Sequence, residues 1–145
     1  MKNSVSNLVI SNIPAFSEAN GALYVVEANK QISFEIKRVF LVSANQGNIR
    51  GDHAHISCSQ FLVCISGSIL VECSDGESDK DFHLDNPSKG LLIPPGIWSR
   101  QIYNINNSVL AVFCDYFFDP DDYIRDYDSF IGFRRNFINQ NNDKK

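Results

Sequence analysis

Two of the chain's three histidines, His53 and His55, stand in the stretch RGDHAH with only Ala54 between them. An imidazole titrates at about 6.5 when unperturbed, so it can give and take a proton near neutral pH, and as a neutral ring it ligates metals. In an extended strand alternate side chains share a face, so both rings would project from one wall with Ala54 opposite. Such a wall has three uses: metal ligation, acid/base catalysis, or packing as satisfied core histidines. The third histidine, His83 in DFHLD, has no such neighbour and is expected to be a surface or structural residue. The same alternation in FEIKRVFLV puts Phe34, Ile36, Arg38, Phe40 and Val42 on one face. A guanidinium in an apolar row must be paired or offered to an anion, because an unpaired buried charge is costly. Arg38 is therefore expected to contact an anion in a cavity, with a structural ion pair as the alternative.

The elements that would position these groups are short. Apolar runs such as NLVI, ALYVVEA, SFEIKRVFLVS, SQFLVCIS, SILVEC, GLLI and SVLAVFCDY alternate with NQGN, SGS, SDGES, DNPSKG, IPPG and NINN, each rich in turn-forming residues. Eight or nine strands at this spacing predict an all-β sandwich or barrel. Near the end, DPDDYIRDYDSFIGF predicts a C-terminal helix: Asp119 can cap, Pro120 suits the first position, and Tyr123, Ile124, Tyr127 and Ile131 share a face. The 145 residues, 43% of them hydrophobic, are enough for one domain, expected over residues 1–135, with 136–145 a polar disordered tail. A net charge of -4 offers no broad positive field for nucleic acid. No apolar run approaches the roughly 20 residues of a membrane span, and MKNSVSNLVISN lacks the apolar centre of a secretory signal, so a cytoplasmic protein is expected. The four cysteines, with no C-x-x-C pair, are expected to be reduced core thiols.

The spacing around the histidines is informative in itself. Five residues separate Gly47 from His53, four separate His55 from Gln60, and six separate Gln60 from Gly67. This resembles the first cupin motif, in which glycines occupy the turns and His, His and Glu hold a metal. A second segment runs from Gly90 through IPPG to Trp98 and Ser99, where a metal-binding cupin would offer its last histidine. Gln60 replaces the acidic ligand and Ser99 the last histidine, and two imidazoles with an amide and a hydroxyl make a weak set for a transition metal. A metal is not expected, and the histidines are left for proton chemistry.

Taken in order, FEIKRVF, RGDHAH, QFLVCISGS, PSKGLLIPPGIW and FFDPDDYIRDYDSF resemble the nucleotide-sugar 3,4-ketoisomerases acting on dTDP-4-dehydro-6-deoxy-glucose, over roughly residues 15 to 133. The resemblance implies a cupin jelly roll with a C-terminal helix, a cytoplasmic homodimer in which N-terminal strands can be exchanged, and no metal or redox cofactor. It also implies a place in deoxysugar biosynthesis, where 3-keto sugars feed aminotransferases for surface glycans such as the O-antigen of lipopolysaccharide. By the same resemblance His53 and His55 are the acid/base pair, Arg38 and Arg50 contact the diphosphate or the active site, and Gln60, Trp98 and Ser99 line the substrate pocket.

The chemistry suits these residue types. In a 4-keto sugar the neighbouring carbonyl acidifies the hydrogen on C3, so a base can remove it to give an enediolate, and reprotonation at C4 completes the isomerisation. The carbonyl is its own electron sink; the protein supplies a base and donors for the developing oxyanion. Two positions depart from the family pattern: Ser99 stands where members carry His or Arg after the motif tryptophan, with Arg100 expected on the opposite face, and Asn20-Gly21 stands where many carry Arg-Gly. The alternatives are a nucleotide-sugar 3,5-epimerase, with Tyr103 as its acid, and a non-catalytic sugar-nucleotide-binding cupin.

Overall fold

Turn-forming clusters every eight to twelve residues leave room only for short extended segments, and such segments build the protein in a computed structural model that describes residues 2–142. The strands are β1 (Ile10–Asn12), β2 (Ala15–Glu18), β3 (Gly21–Tyr24), β4 (Arg38–Ala44), β5 (Ile49–His55), β6 (Gln60–Ser66), β7 (Ile69–Ser74), β8 (Asp79–Leu84), β9 (Lys89–Ile93), β10 (Trp98–Tyr103), β11 (Ser108–Cys114) and β12 (Tyr123–Ile124), followed by helix α1 (Tyr127–Asn142). Two five-stranded antiparallel sheets, ordered β1-β9-β6-β11-β4 and β12-β5-β10-β7-β8, face each other. Alternation then does what the pleat requires. Leu62, Cys64, Leu110 and Val112 of the first sheet meet Ile69, Val71, Leu84 and Tyr103 of the second in one buried core. The predicted jelly-roll architecture is the one observed.

Three expectations need correction. Period two does persist through FEIKRVFLV, with Phe34, Ile36, Arg38, Phe40 and Val42 all half-buried between exposed neighbours. The strand begins only at Arg38, however: Phe40 and Val42 pack on the central core, while Phe34 and Ile36 join Phe61 and Val63 on the other side of the first sheet. At the C-terminal end, Asp119 and Pro120 start a 3-10 turn over Pro120–Asp122, not the helix, and Tyr123 and Ile124 form an edge strand on β5. Helix α1 begins four residues after Tyr123, where the Asp126 carboxylate accepts the backbone N–H and the hydroxyl of Ser129 at 2.9 Å each. It continues to Asn142, so residues 136–142 of the expected tail are helical, and 143–145 lie outside the described residues.

The helix packs on the outer face of the second sheet. Phe130, fully buried, packs with Trp98 and Ala54, and the buried Arg134 donates to the Gly96 carbonyl at 3.0 Å and the Asn3 carbonyl at 2.8 Å. A hairpin of β2 and β3 pairs only with itself and is exposed along its length. All four cysteines are buried and unbridged, as expected. Among the described residues no helix is long and apolar enough to cross a membrane.

Candidate active site

Strand β5 carries the histidines, and its irregularity decides what joins them. Across the β5–β10 ladder Ser99 lies opposite His53 and Arg100 opposite Gly51, so Asp52 is an extra residue on β5. Gly51 and Asp52 both have positive φ, +84° and 56°, the left-handed geometry of a glycine bulge. Glycine is required at the first position: a Cβ there would meet the Ser99 carbonyl at 3.1 Å and the Gln101 amide at 3.3 Å. The bulge resets parity. Arg50, which strict alternation would place opposite His53, instead lines the same cavity, and Asp52 turns outward to Arg100.

That cavity, of about 350 Å³, is walled by Arg50, His53, Gln60, Tyr123 and Arg125, with Phe40 and Val42 as its apolar side. The His53 and His55 rings meet edge to face, 5.0 Å apart and 89° inclined, and Tyr123 closes on both, at 5.0 Å from His53 and 4.4 Å from His55. The two imidazoles differ in setting. His53 lines the cavity and its Nδ1 has no protein partner; His55 sits behind it, 6% exposed, with Nδ1 held by the Asp122 carboxylate at 2.8 Å. Asp122 is itself fixed by the backbone N–H groups of Ser57, at 2.7 Å, and Cys58, at 3.3 Å. A carboxylate only accepts, so Nδ1 of His55 carries the hydrogen and the unpartnered Nε2 carries the lone pair.

Electrostatics keep both rings neutral. Burial pushes the His53 pKa down to about 4, helped by neighbouring His55 and by Arg125, with Asp52 opposing. Burial also lowers His55; the Asp122 hydrogen bond opposes this, while Arg38 and Arg125 reinforce it. Near neutral pH the pair is ready to accept protons, in a cationic surrounding.

The remaining sequence-predicted residues are divided between this cavity and other places. Gln60 lines it. Arg38 stands beside it, its guanidinium 5.4 Å from the Phe40 ring centre and 5.5 Å from that of Phe118, with Nη2 donating to the Cys114 sulfur at 3.7 Å. Ser99 is buried next to His53 but is not in the cavity wall. Trp98 faces the other way: its ring packs against Tyr127 at 5.2 Å and Phe130 at 5.6 Å, because the residue before an inward position on a strand points outward. Arg100 likewise faces outward, 3.2 Å from the Glu72 carboxylate. Tyr103, the acid of the epimerase alternative, is fully buried in the core, and burial pushes its pKa up to about 12. His83 is exposed on β8.

Sequence reading missed Asp122, Tyr123 and Arg125. Acidic residues after a proline suggest a helix start, and only the pairing of Tyr123 with His55 across an edge strand reveals their role. The motif DDYIR does hold a signal: a run that is too polar to be core yet contains an aromatic at a strand position.

One buried trio, His55, Cys58 and Asp122, has donor atoms within 4.8 Å of one another, as a metal site would need. Its donors are already committed, since Asp122 accepts three N–H groups and the Cys58 thiol donates to the Ser59 carbonyl at 3.3 Å. Burial and the neighbouring Asp115 and Asp122 carboxylates also raise the Cys58 pKa, which disfavours the thiolate that a metal requires. The trio fits a hydrogen-bonded support for His55 better than a cation.

The family model FdtA (WxcM-like, C-terminal) matches residues 6–135. The chain is 37% identical over 127 residues, 87% of its length and 91% of the relative, to TDP-4-oxo-6-deoxy-alpha-D-glucose-3,4-oxoisomerase of Aneurinibacillus thermoaerophilus. Among solved structures it resembles the sugar 3,4-ketoisomerase QdtA of Thermoanaerobacterium thermosaccharolyticum in complex with TDP, with TM-score 0.86 and 29% identity over 91% of this chain and 97% of that one. A 3,4-ketoisomerase from Helicobacter canadensis gives TM-score 0.85 and 32% identity over 89% and 98% of the two chains.

Proposed function

The chain belongs to the FdtA family, and we propose that it is a nucleotide-sugar 3,4-ketoisomerase converting dTDP-4-dehydro-6-deoxy-glucose to the 3-dehydro isomer. The observation that carries this reading is a neutral imidazole, His53, presented to a cavity whose other walls bear Arg50 and Arg125. His53 removes the C3 proton, exchanges it with solvent and delivers a proton to C4, while the C4 oxygen of the enediolate gains a proton and the C3 hydroxyl gives one up. His55, fixed by Asp122, is a positioning residue that holds the His53 ring and keeps a lone pair beside it. Tyr123 and the arginines stabilise charge on the enediolate oxygens, and Arg38, Arg50 and Arg125 answer the diphosphate. The diphosphate in turn raises the His53 pKa from its low value in the free protein, bringing the base nearer the operating pH only when substrate is bound.

The substrate carbonyl is the electron sink, so the reading needs no metal or redox cofactor. A homodimer is part of the same proposal. Phe16 and Leu23 on the unsupported β2–β3 hairpin and Val39 and Leu41 on edge strand β4 are each more than half exposed, which a second copy exchanging its N-terminal strands would cover. A cytoplasmic location is part of the same proposal, supported by the unbridged thiols and the nucleotide-sugar substrate.

The test is to supply TDP-4-keto-6-deoxyglucose to the purified protein and follow the sugar by NMR. Appearance of the 3-keto isomer is expected. Binding without turnover would instead identify a sugar-nucleotide-binding module, and inversion at C5 an epimerase.

A further inference from the structure

Cys114 ends β11, the strand lying between β4 and β6, and in register it faces Arg38 on one side and Gln60 on the other. Its sulfur is fully buried and accepts an N–H from each neighbour, Arg38 Nη2 at 3.7 Å and Gln60 Nε2 at 3.7 Å. Arg38 has no carboxylate partner among the described residues, and its Nε is buried without an acceptor. A guanidinium so placed keeps its charge for a ligand, and a sulfur helps fix its direction by accepting from Nη2. We propose that Cys114 is a positioning residue for substrate binding: one sulfur sets both Arg38 and Gln60 toward the nucleotide sugar.

A neutral thiol is a weak acceptor. Here the guanidinium of Arg38 and the amide of Gln60 both donate to the sulfur, and together they favour its thiolate form against burial. Negative charge gathered on the sulfur strengthens both bonds it accepts. Serine would keep an acceptor but, with a shorter bond and a smaller atom, would leave both donors short of it; alanine would remove it.

This inference rests on the proposal that Arg38 and Gln60 contact the nucleotide sugar, and the experiment separates the two. TDP binding by calorimetry and KM and kcat for TDP-4-keto-6-deoxyglucose are measured for Cys114→Ala, Cys114→Ser, the Arg38→Ala/Gln60→Ala pair, and that pair combined with Cys114→Ala. Cys114→Ala is expected to weaken TDP binding and raise KM about ten-fold, the scale of a lost hydrogen bond to a charged group, with kcat changed less than about two-fold. Cys114→Ser should fall between it and the parent, and serves the same comparison should the alanine variant not fold. In the Arg38→Ala/Gln60→Ala background Cys114→Ala should have no further effect on binding, whereas a purely structural role would persist there at full size. If that double variant weakens TDP binding and the Cys114 variants do not, the positioning role is overturned while the site stands. If the double variant binds TDP like the parent, the site assignment fails and takes the positioning role with it.

Discussion

Strand β5 and its partner β10 have two faces, each opening on a hollow, and the two hollows are opposite in character. The outer one is larger, about 500 Å³, and is lined by Asp52, Glu72, Asp79 and Asp81 with Trp98 and Tyr127; its one arginine, Arg100, already faces two of those carboxylates. The inner one is about 350 Å³ and carries Arg50 and Arg125 with no carboxylate in its wall. A nucleotide diphosphate would be repelled from the first and drawn into the second. Charge and the presence of a neutral base, not size, distinguish the proposed chemical site, and a single extra residue, Asp52, sorts the side chains of β5 between the two hollows.

The most severe way to break the contrast is to remove the base. His53→Asn should lower kcat by about 10²- to 10⁴-fold, while His55→Asn, which removes a supporting ring, should cost on the order of ten- to a hundred-fold. Steady-state kinetics with circular dichroism as a folding control check the ranking. A charge test comes next: Arg50→Ala should weaken TDP binding about ten- to a hundred-fold, as loss of a charge-assisted contact does. Gly51→Ala attacks the sorting itself, because the new methyl group meets the Ser99 carbonyl in a left-handed backbone; a loss of about 1–3 kcal/mol in denaturant unfolding is expected, with reduced turnover.

A smaller effect follows from His53 titration. The unfolded ring protonates below about 6.5, whereas the folded one stays neutral until about 4. Between those values the unfolded state binds more protons, so stability is lost as pH falls through the window. Thermal melts from pH 7 to 4 should show a slope that His53→Asn reduces. At the small end, Asp79→Asn and Asp81→Asn in the outer hollow should leave kcat and KM within about two-fold.

Much of this arrangement could be read from the chain, and the exceptions have physical causes. Strict alternation correctly keeps His53 and His55 together and puts Arg100 outward, because β10 is regular from Arg100 onward. It misplaces Arg50, since a bulge is a local backbone event marked only by Gly51. It could not bring Asp122, Tyr123 and Arg125 to the histidines, because their contact spans nearly 70 residues and depends on an edge pairing that an acidic, proline-led segment disguises as a helix start. Trp98 shows the reverse error: a motif-bound aromatic suggests a pocket wall, yet its strand position commits it to Phe130 and the helix.

The account turns on His53 carrying hydrogen between adjacent carbons, and isotope placement tests that most directly. The parent protein given TDP-4-keto-6-deoxyglucose in D2O is expected to yield a 3-keto sugar with deuterium at C4, and His53→Asn to yield neither isomer nor exchange at C3. Label at C5, or a His53→Asn variant that still places deuterium at C4 at the parent's rate, would contradict it.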